Sequence, residues 1–203
     1  MWRILLIVLC VGCGSLQAAE PRTILVLGDS LSAAHNIPTE QGWVQLLDRK
    51  LAESHPGQWR LVNASISGET TAGGLTRLPA ALTTHKPALV ILALGANDGL
   101  RGLQIASMRA NLTQMIELSR GAGAEVALIG VELPVNYGEA YRSRFRAVYT
   151  QLAEQYQLAL LPFLLDGLVD DLANFQDDQI HPTAEAQVHI RDTVLTWLQP
   201  QLQ

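Results

Sequence analysis

Five short apolar runs, separated by longer segments of helical period, restrict this chain more than any other feature. They fall at 23–27 (Thr23-Ile24-Leu25-Val26-Leu27), 59–64, 88–94, 125–130 and 158–161. Apart from Arg60, Asn63 and the leading Glu125, they read as continuously apolar rather than alternating, the pattern of strands covered on both faces, which parallel sheets are because each crossover lays a helix over them. Between them, Trp43–Ser54 repeats apolar residues at Trp43, Val44, Leu46, Leu47 and Leu51. Residues 104–120 carry Ile105, Met108, Leu112, Met115 and Ile116 and stop at Gly121. Glu139–Tyr156 and 183–198 behave alike; in the latter Ala186, Ile190, Val194 and Trp197 share one face. Five such units predict an α/β fold: a three-layer α/β/α sandwich around a flavodoxin-like five-stranded parallel sheet of order 2-1-3-4-5. Sites in such sheets lie beyond the carboxyl ends of the strands, where the strand order reverses.

No internal repeat or linker interrupts residues 20–203, which are expected to form one domain; 203 residues at 48% hydrophobic content suffice for a sizeable core. Residues 1–19 are expected to stand apart as a secretory signal. Arg3 precedes the apolar stretch Ile4-Leu5-Leu6-Ile7-Val8-Leu9-Cys10-Val11, and a small-residue zone ends at Ala18-Ala19, where cleavage fits. The mature chain is then expected in the periplasm or secreted, with no stable membrane span. Both cysteines, Cys10 and Cys13, lie in this segment, which excludes a thiol nucleophile from the mature protein. Glycine before Cys13 leaves open an alternative, a lipoprotein anchored at Cys13. A net charge of −5 with no Lys/Arg-rich run argues against a nucleic-acid partner.

Two segments carry chemistry. Gly28-Asp29-Ser30-Leu31-Ser32 follows the first apolar run and puts a serine hydroxyl on the turn leaving a buried strand. Asp178-Gln179-Ile180-His181-Pro182 sets a carboxylate three residues before an imidazole, in a loop ahead of the last helix. A serine hydroxyl is a poor nucleophile unless a base takes its proton, and an imidazole is a better base when a carboxylate fixes its tautomer. Among the five histidines, His35 follows Ser30 too closely to reach back easily, His55 and His85 sit in helix-exit turns, and His189 lies within a helix. His181 alone has an aspartate at the right remove, with Asp177 as the rival to Asp178. Ser30 also reads as a helix N-cap, a role compatible with attack because helix N-termini aim N–H groups at developing charge. Asp29 and Ser32 read as turn residues. No HExxH or CxxC cluster appears, so neither a metal nor another cofactor is expected.

Between these ends lie Asn63-Ala64-Ser65-Ile66-Ser67-Gly68-Glu69-Thr70 and Gly95-Ala96-Asn97-Asp98. Serine, glycine, asparagine and histidine in this order resemble the four blocks of the SGNH (GDSL) hydrolase family, over nearly the whole mature chain. Residues 95–102 and Leu133-Pro134-Val135-Asn136-Tyr137-Gly138 resemble a branch of multifunctional periplasmic thioesterases, lysophospholipases and arylesterases. The resemblance implies a triad of Ser30, Asp178 and His181, and an oxyanion hole made by the N–H groups of Ser30 and Gly68 with the Asn97 amide. It implies hydrolysis of acyl esters and thioesters (lysophospholipid, aryl ester or acyl-CoA in type) through an acyl-Ser30 intermediate; the chain is expected to act as a monomer. It also implies that the loop Gly99-Leu100-Arg101-Gly102-Leu103 moves when an acyl chain binds. Leu100, Leu133, Pro134 and Tyr137 are the candidate acyl-binding residues; the last three could equally pack over the sheet edge. A carbohydrate O-deacetylase is the rival enzyme. A flavodoxin-like binding module is the rival from another class, although it leaves Asp178 and His181 without a task and lacks a glycine-rich phosphate cradle.

Overall fold

The protein's structure is a computed structural model that describes residues 20–203. The expected signal segment, with Cys10 and Cys13, lies outside the described residues. Five strands, β1 (Arg22–Gly28), β2 (Trp59–Asn63), β3 (Leu89–Ala93), β4 (Glu125–Ile129) and β5 (Ala159–Leu161), form one sheet of order β2-β1-β3-β4-β5. All four pairings are parallel. The helices are α1 (Trp43–Ser54), α2 (Thr71–His85), α3 (Ala96–Leu100), α4 (Ile105–Gly121), α5 (Glu139–Tyr156) and α6 (Ala186–Leu198).

The pleat divides each apolar run between two cores. Ile24, Val26, Ile91 and Ile129 point into a layer filled by Trp43, Leu47 and Leu51 of α1 and Ile190, Val194 and Leu198 of α6. Leu25, Leu27, Val90, Leu92 and Leu128 face the other way, onto Leu78 of α2, Leu112 and Ile116 of α4, and Phe145 and Leu152 of α5. At about 1.5–3 kcal/mol per fully buried large aliphatic side chain, these two layers dominate the stability of the fold. The reading of an α/β/α sandwich with this strand order is correct.

The sequence pattern did not mark α2, and its composition explains why. Gly73, Gly74 and Pro79 all lower helix propensity. Tertiary packing overrides them. A Cβ on Gly74 would stand 2.3 Å from Leu94 Cδ1, so glycine is what lets α2 lie against the sheet. Thr70 caps the helix by accepting from Gly73 N at 3.3 Å. The last helix starts at Ala186 rather than Thr183, because the preceding residues belong to a closed loop. Phe175 and Pro182 form an antiparallel bridge, and Thr183 N donates to Asn174 O at 2.8 Å.

Candidate active site

The chain leaves β1 through hydrogen-bonded turns, not a helix, so Ser30 is no helix N-cap. Ser32 N and Ala33 N donate to Asp29 O at 3.1 and 2.9 Å, and Ser30 O accepts from His35 N at 3.4 Å. Asp29 is 2% exposed and its Oδ1 accepts from Leu31 N at 3.1 Å. Burial raises the Asp29 carboxyl to about 6, against the lowering effects of the Leu31 N–H and nearby His181. From β2, Asn63 Nδ2 donates to Ser32 O at 2.7 Å and holds the turn in place. Half-buried Ser30 thus stands on a well-anchored corner beyond the sheet's carboxyl edge.

The loop before α6 supplies the partner groups. Gln179 takes a left-handed conformation (φ 56°), and the chain folds back over Asp178. Asp178 Oδ1 then accepts from Ile180 N and His181 N, both at 2.9 Å. Its Oδ2 lies 2.7 Å from His181 Nδ1, and His181 Nε2 lies 2.8 Å from Ser30 Oγ. These partners assign the proton to Nδ1, where it is donated to Asp178, and leave the Nε2 lone pair facing the serine hydroxyl. Desolvation works against the Asp178 charge, but the donors from His181 and Ile180 outweigh it and hold the carboxyl down at about 2. Asp177, exposed beside it, makes no such contact with His181.

Gly68 and Asn97 reach the same rim. Gly68 has φ +79°, a conformation that disfavours any residue with a Cβ, and this is what favours glycine there. Its carbonyl accepts from Arg101 Nη2 at 2.9 Å. Asn97, in the first turn of α3, donates from Nδ2 to Glu69 O at 3.0 Å. The next residue, Asp98, is 4% exposed and accepts from Thr71 N and Thr71 Oγ1 at 2.8 and 2.5 Å, tying α3 to the start of α2. Glu69 pairs with Arg77 at 2.7 Å and steadies the loop from its other side.

Two side chains at this site have no signal in local spacing. His35 lies near Ser30 in sequence, yet the turn carries its ring over His181, with centroids 4.2 Å apart, and its Nδ1 lies 3.1 Å from Ser67 Oγ. Gln176 Nε2 donates to His35 O at 2.9 Å and Pro182 O at 3.0 Å, and Gln176 N donates to His181 O at 2.8 Å. Gln176 therefore ties the histidine loop to the serine turn. Only the folded chain brings these groups together.

A cavity of about 830 Å³ opens over Ser30 and His181. Leu100, Leu133 and Pro134 line it, joined by Val131, Phe163 and Leu165. Val135, Val169, Leu172 and Ile180 line it while staying 48–79% exposed, an apolar mouth. Tyr137 is not among the lining residues; its hydroxyl donates to Leu100 O at 2.8 Å, so it braces the wall from behind. Gly99, at the start of the 99–103 loop, is helical and buried, and a Cβ there would come within 2.7 Å of Leu133 and 2.8 Å of Phe145.

Comparison with known proteins agrees with this architecture. Residues 26–188 match the GDSL-like lipase/acylhydrolase family, and the chain belongs to that family. It is 48% identical to the esterase TesA of Pseudomonas aeruginosa over 92% of both chains. It is 41% identical to thioesterase 1/protease 1/lysophospholipase L1 of Escherichia coli K12, over 91% of this chain and 86% of that one. Among solved structures, the psychrotrophic esterase EstA from Pseudoalteromonas sp., inhibited by monoethylphosphonate, superposes with a TM-score of 0.85 at 40% identity, covering 89% of this chain and 98% of that one. The protein is an enzyme, a hydrolase of small-molecule acyl esters and thioesters.

Proposed function

We propose that Ser30 attacks the acyl carbonyl while His181 takes its proton, giving an acyl-Ser30 intermediate and releasing an alcohol or thiol. His181 returns the proton to the leaving group and then activates the water that frees Ser30. Asp178 keeps the imidazole in the required tautomer and stabilises the imidazolium. The unbroken line from Asp178 Oδ2 through the His181 ring to Ser30 Oγ, at 2.7 and 2.8 Å, carries this reading. The N–H groups of Ser30 and Gly68 and the Asn97 amide receive the oxyanion; each such donor is worth on the order of 3 kcal/mol in the transition state.

The apolar lining and volume of the cavity favour acyl chains well beyond acetate, so a lipid-type ester or thioester suits it better than an acetylated sugar. Lysophospholipid, aryl ester and acyl-CoA types fall in this range. The sequence pattern of residues 1–19 supports export to the periplasm and signal cleavage after Ala18 or Ala19, with one monomeric domain over 20–203. Intact mass of the exported protein tests the cleavage, since retention of a lipidated Cys13 gives a heavier species, and its sedimentation tests the monomer. The catalytic assignment is tested by treatment with a phosphonate. One adduct on Ser30 is expected, together with loss of ester turnover in a folded Ser30→Ala protein; an adduct on Ser32 or Ser65 would overturn it.

A further inference from the structure

Two imidazoles and a carboxylate meet at the mouth of the active-site cavity. The rings of His35 and His181 lie 4.2 Å apart and are tilted by 40°. Asp178 Oδ2 is 2.7 Å from His181 Nδ1. One ligand-capable atom from each of the three groups lies within 4.8 Å of the other two. Both histidines line the cavity, so a hydrated ion reaches them by the route a substrate takes.

This donor set has a definite chemical preference. Two imidazoles and one carboxylate suit zinc and its borderline neighbours, whereas magnesium prefers all-oxygen shells. Tetrahedral zinc holds such atoms at about 2.0–2.2 Å, which places adjacent ligands about 3.4 Å apart. Closing the present spread to that value needs a shift on the ångström scale. The ring of His35 can make it, since among the described residues its one side-chain hydrogen bond is with the Ser67 hydroxyl at 3.1 Å.

We infer that His35, His181 and Asp178 form an inhibitory site for an imidazole-seeking divalent cation of the zinc class. The binding stands on the cluster alone; the inhibition rests on the reading of His181 as the base. Both ring nitrogens of His181 are already committed, Nε2 toward Ser30 and Nδ1 toward Asp178. A cation on Nε2 occupies the lone pair that receives the serine proton. A cation on Nδ1 moves the ring proton to Nε2, where it points at the serine oxygen and leaves no acceptor. Either way the nucleophile loses its base until the metal departs, and at most the ring proton changes place, returning to Nδ1 when the metal leaves.

The experiment titrates free Zn²⁺ against turnover of a short p-nitrophenyl ester by chelator-washed enzyme in a non-coordinating buffer. Wild type, His35→Leu and His35→Gln are compared, each normalised to its own metal-free rate. Gln keeps a polar contact for Ser67 but offers no imidazole, so a folding defect in the leucine variant does not decide the matter. Wild type should be inhibited reversibly, with recovery on adding EDTA and no effect of Mg²⁺. Loss of an outer partner already costs metal sites about 10–100-fold, so loss of a ligand should raise the half-inhibiting Zn²⁺ concentration at least about tenfold in both variants. Calorimetry of Zn²⁺ binding to Ser30→Ala, with and without His35→Leu, separates binding from catalysis. Binding that persists in Ser30→Ala and weakens without His35 supports the site even if Ser30 proved not to be the nucleophile. Equal Zn²⁺ affinity and equal inhibition with and without His35 would overturn it.

Discussion

Two aspartates flank the reacting groups, and their surroundings drive them in opposite directions. Asp29, in the turn after β1, is sealed at 2% exposure and is pushed up to about 6, because its backbone donors do not replace the water it has lost. Asp178, in the loop before α6, keeps 38% of its side chain exposed, gains two backbone donors and the imidazole, and is held at about 2. The carboxylate that the proposed mechanism needs ionised is the one with donors aimed at it; the one buried for packing is the one that resists its charge. The buried turn should therefore answer mutation mainly in stability, and the exposed loop mainly in rate.

The largest effect tests the loop. Asp178→Asn preserves shape but removes the charge that stabilises the imidazolium, and kcat should fall on the order of ten-thousand-fold. Asp177→Asn, one residue away and outside the hydrogen-bonded line, should retain nearly full activity in the same steady-state assay. A reversed order would move the orienting role to Asp177.

Gln176→Ala sharpens the contrast, because it cuts the amide donation to His35 O that joins the loop to the serine turn, and the one to Pro182 O that holds the loop on itself. Small displacements of a reacting group are costly, so kcat should drop between about 10- and 100-fold with KM nearly unchanged. Thermal unfolding measured in parallel should shift little; a large fall in Tm with kcat intact would make Gln176 a fold residue instead.

Asp29 is predicted to act through pH. A carboxyl raised by folding binds its proton more tightly in the native state, so its contribution is full below the unfolded value of 3.8 and is lost as pH rises through about 6. Wild type should lose stability between about pH 4 and 7, on the order of 3 kcal/mol at most, relative to Asp29→Asn. Denaturant unfolding across that window measures the difference. Asp178 has the opposite sign: its contribution is present above 3.8 and is lost as pH falls through about 2.

The smallest expected effect concerns the cavity wall. Half-buried Leu100 lines it, with Tyr137 bracing its carbonyl. Leu100→Ala should lower kcat/KM for decanoate severalfold more than for acetate, since each methylene left unburied forfeits about 0.8 kcal/mol at most. A chain-length series of p-nitrophenyl esters reads this directly. Parallel losses at every length would assign Leu100 to support of Asn97 and not to the acyl chain.

Sequence alone determined the architecture, because a doubly covered parallel strand must be apolar along its length and the sheet needs one helix per crossover. It also marked Ser30, Asp178 and His181, whose spacing is local or tied to strand ends. Only the tertiary structure revealed α2, where burial against Leu94 outweighs the glycines and Pro79, and the turns that replace a helix after Ser30. Only it seated His35 against His181, joined Gln176 to both loops and turned Tyr137 away from the cavity. The difference has a physical cause. Periodicity records which face of an element is buried, whereas contacts between loops distant in sequence depend on where the folded sheet delivers them.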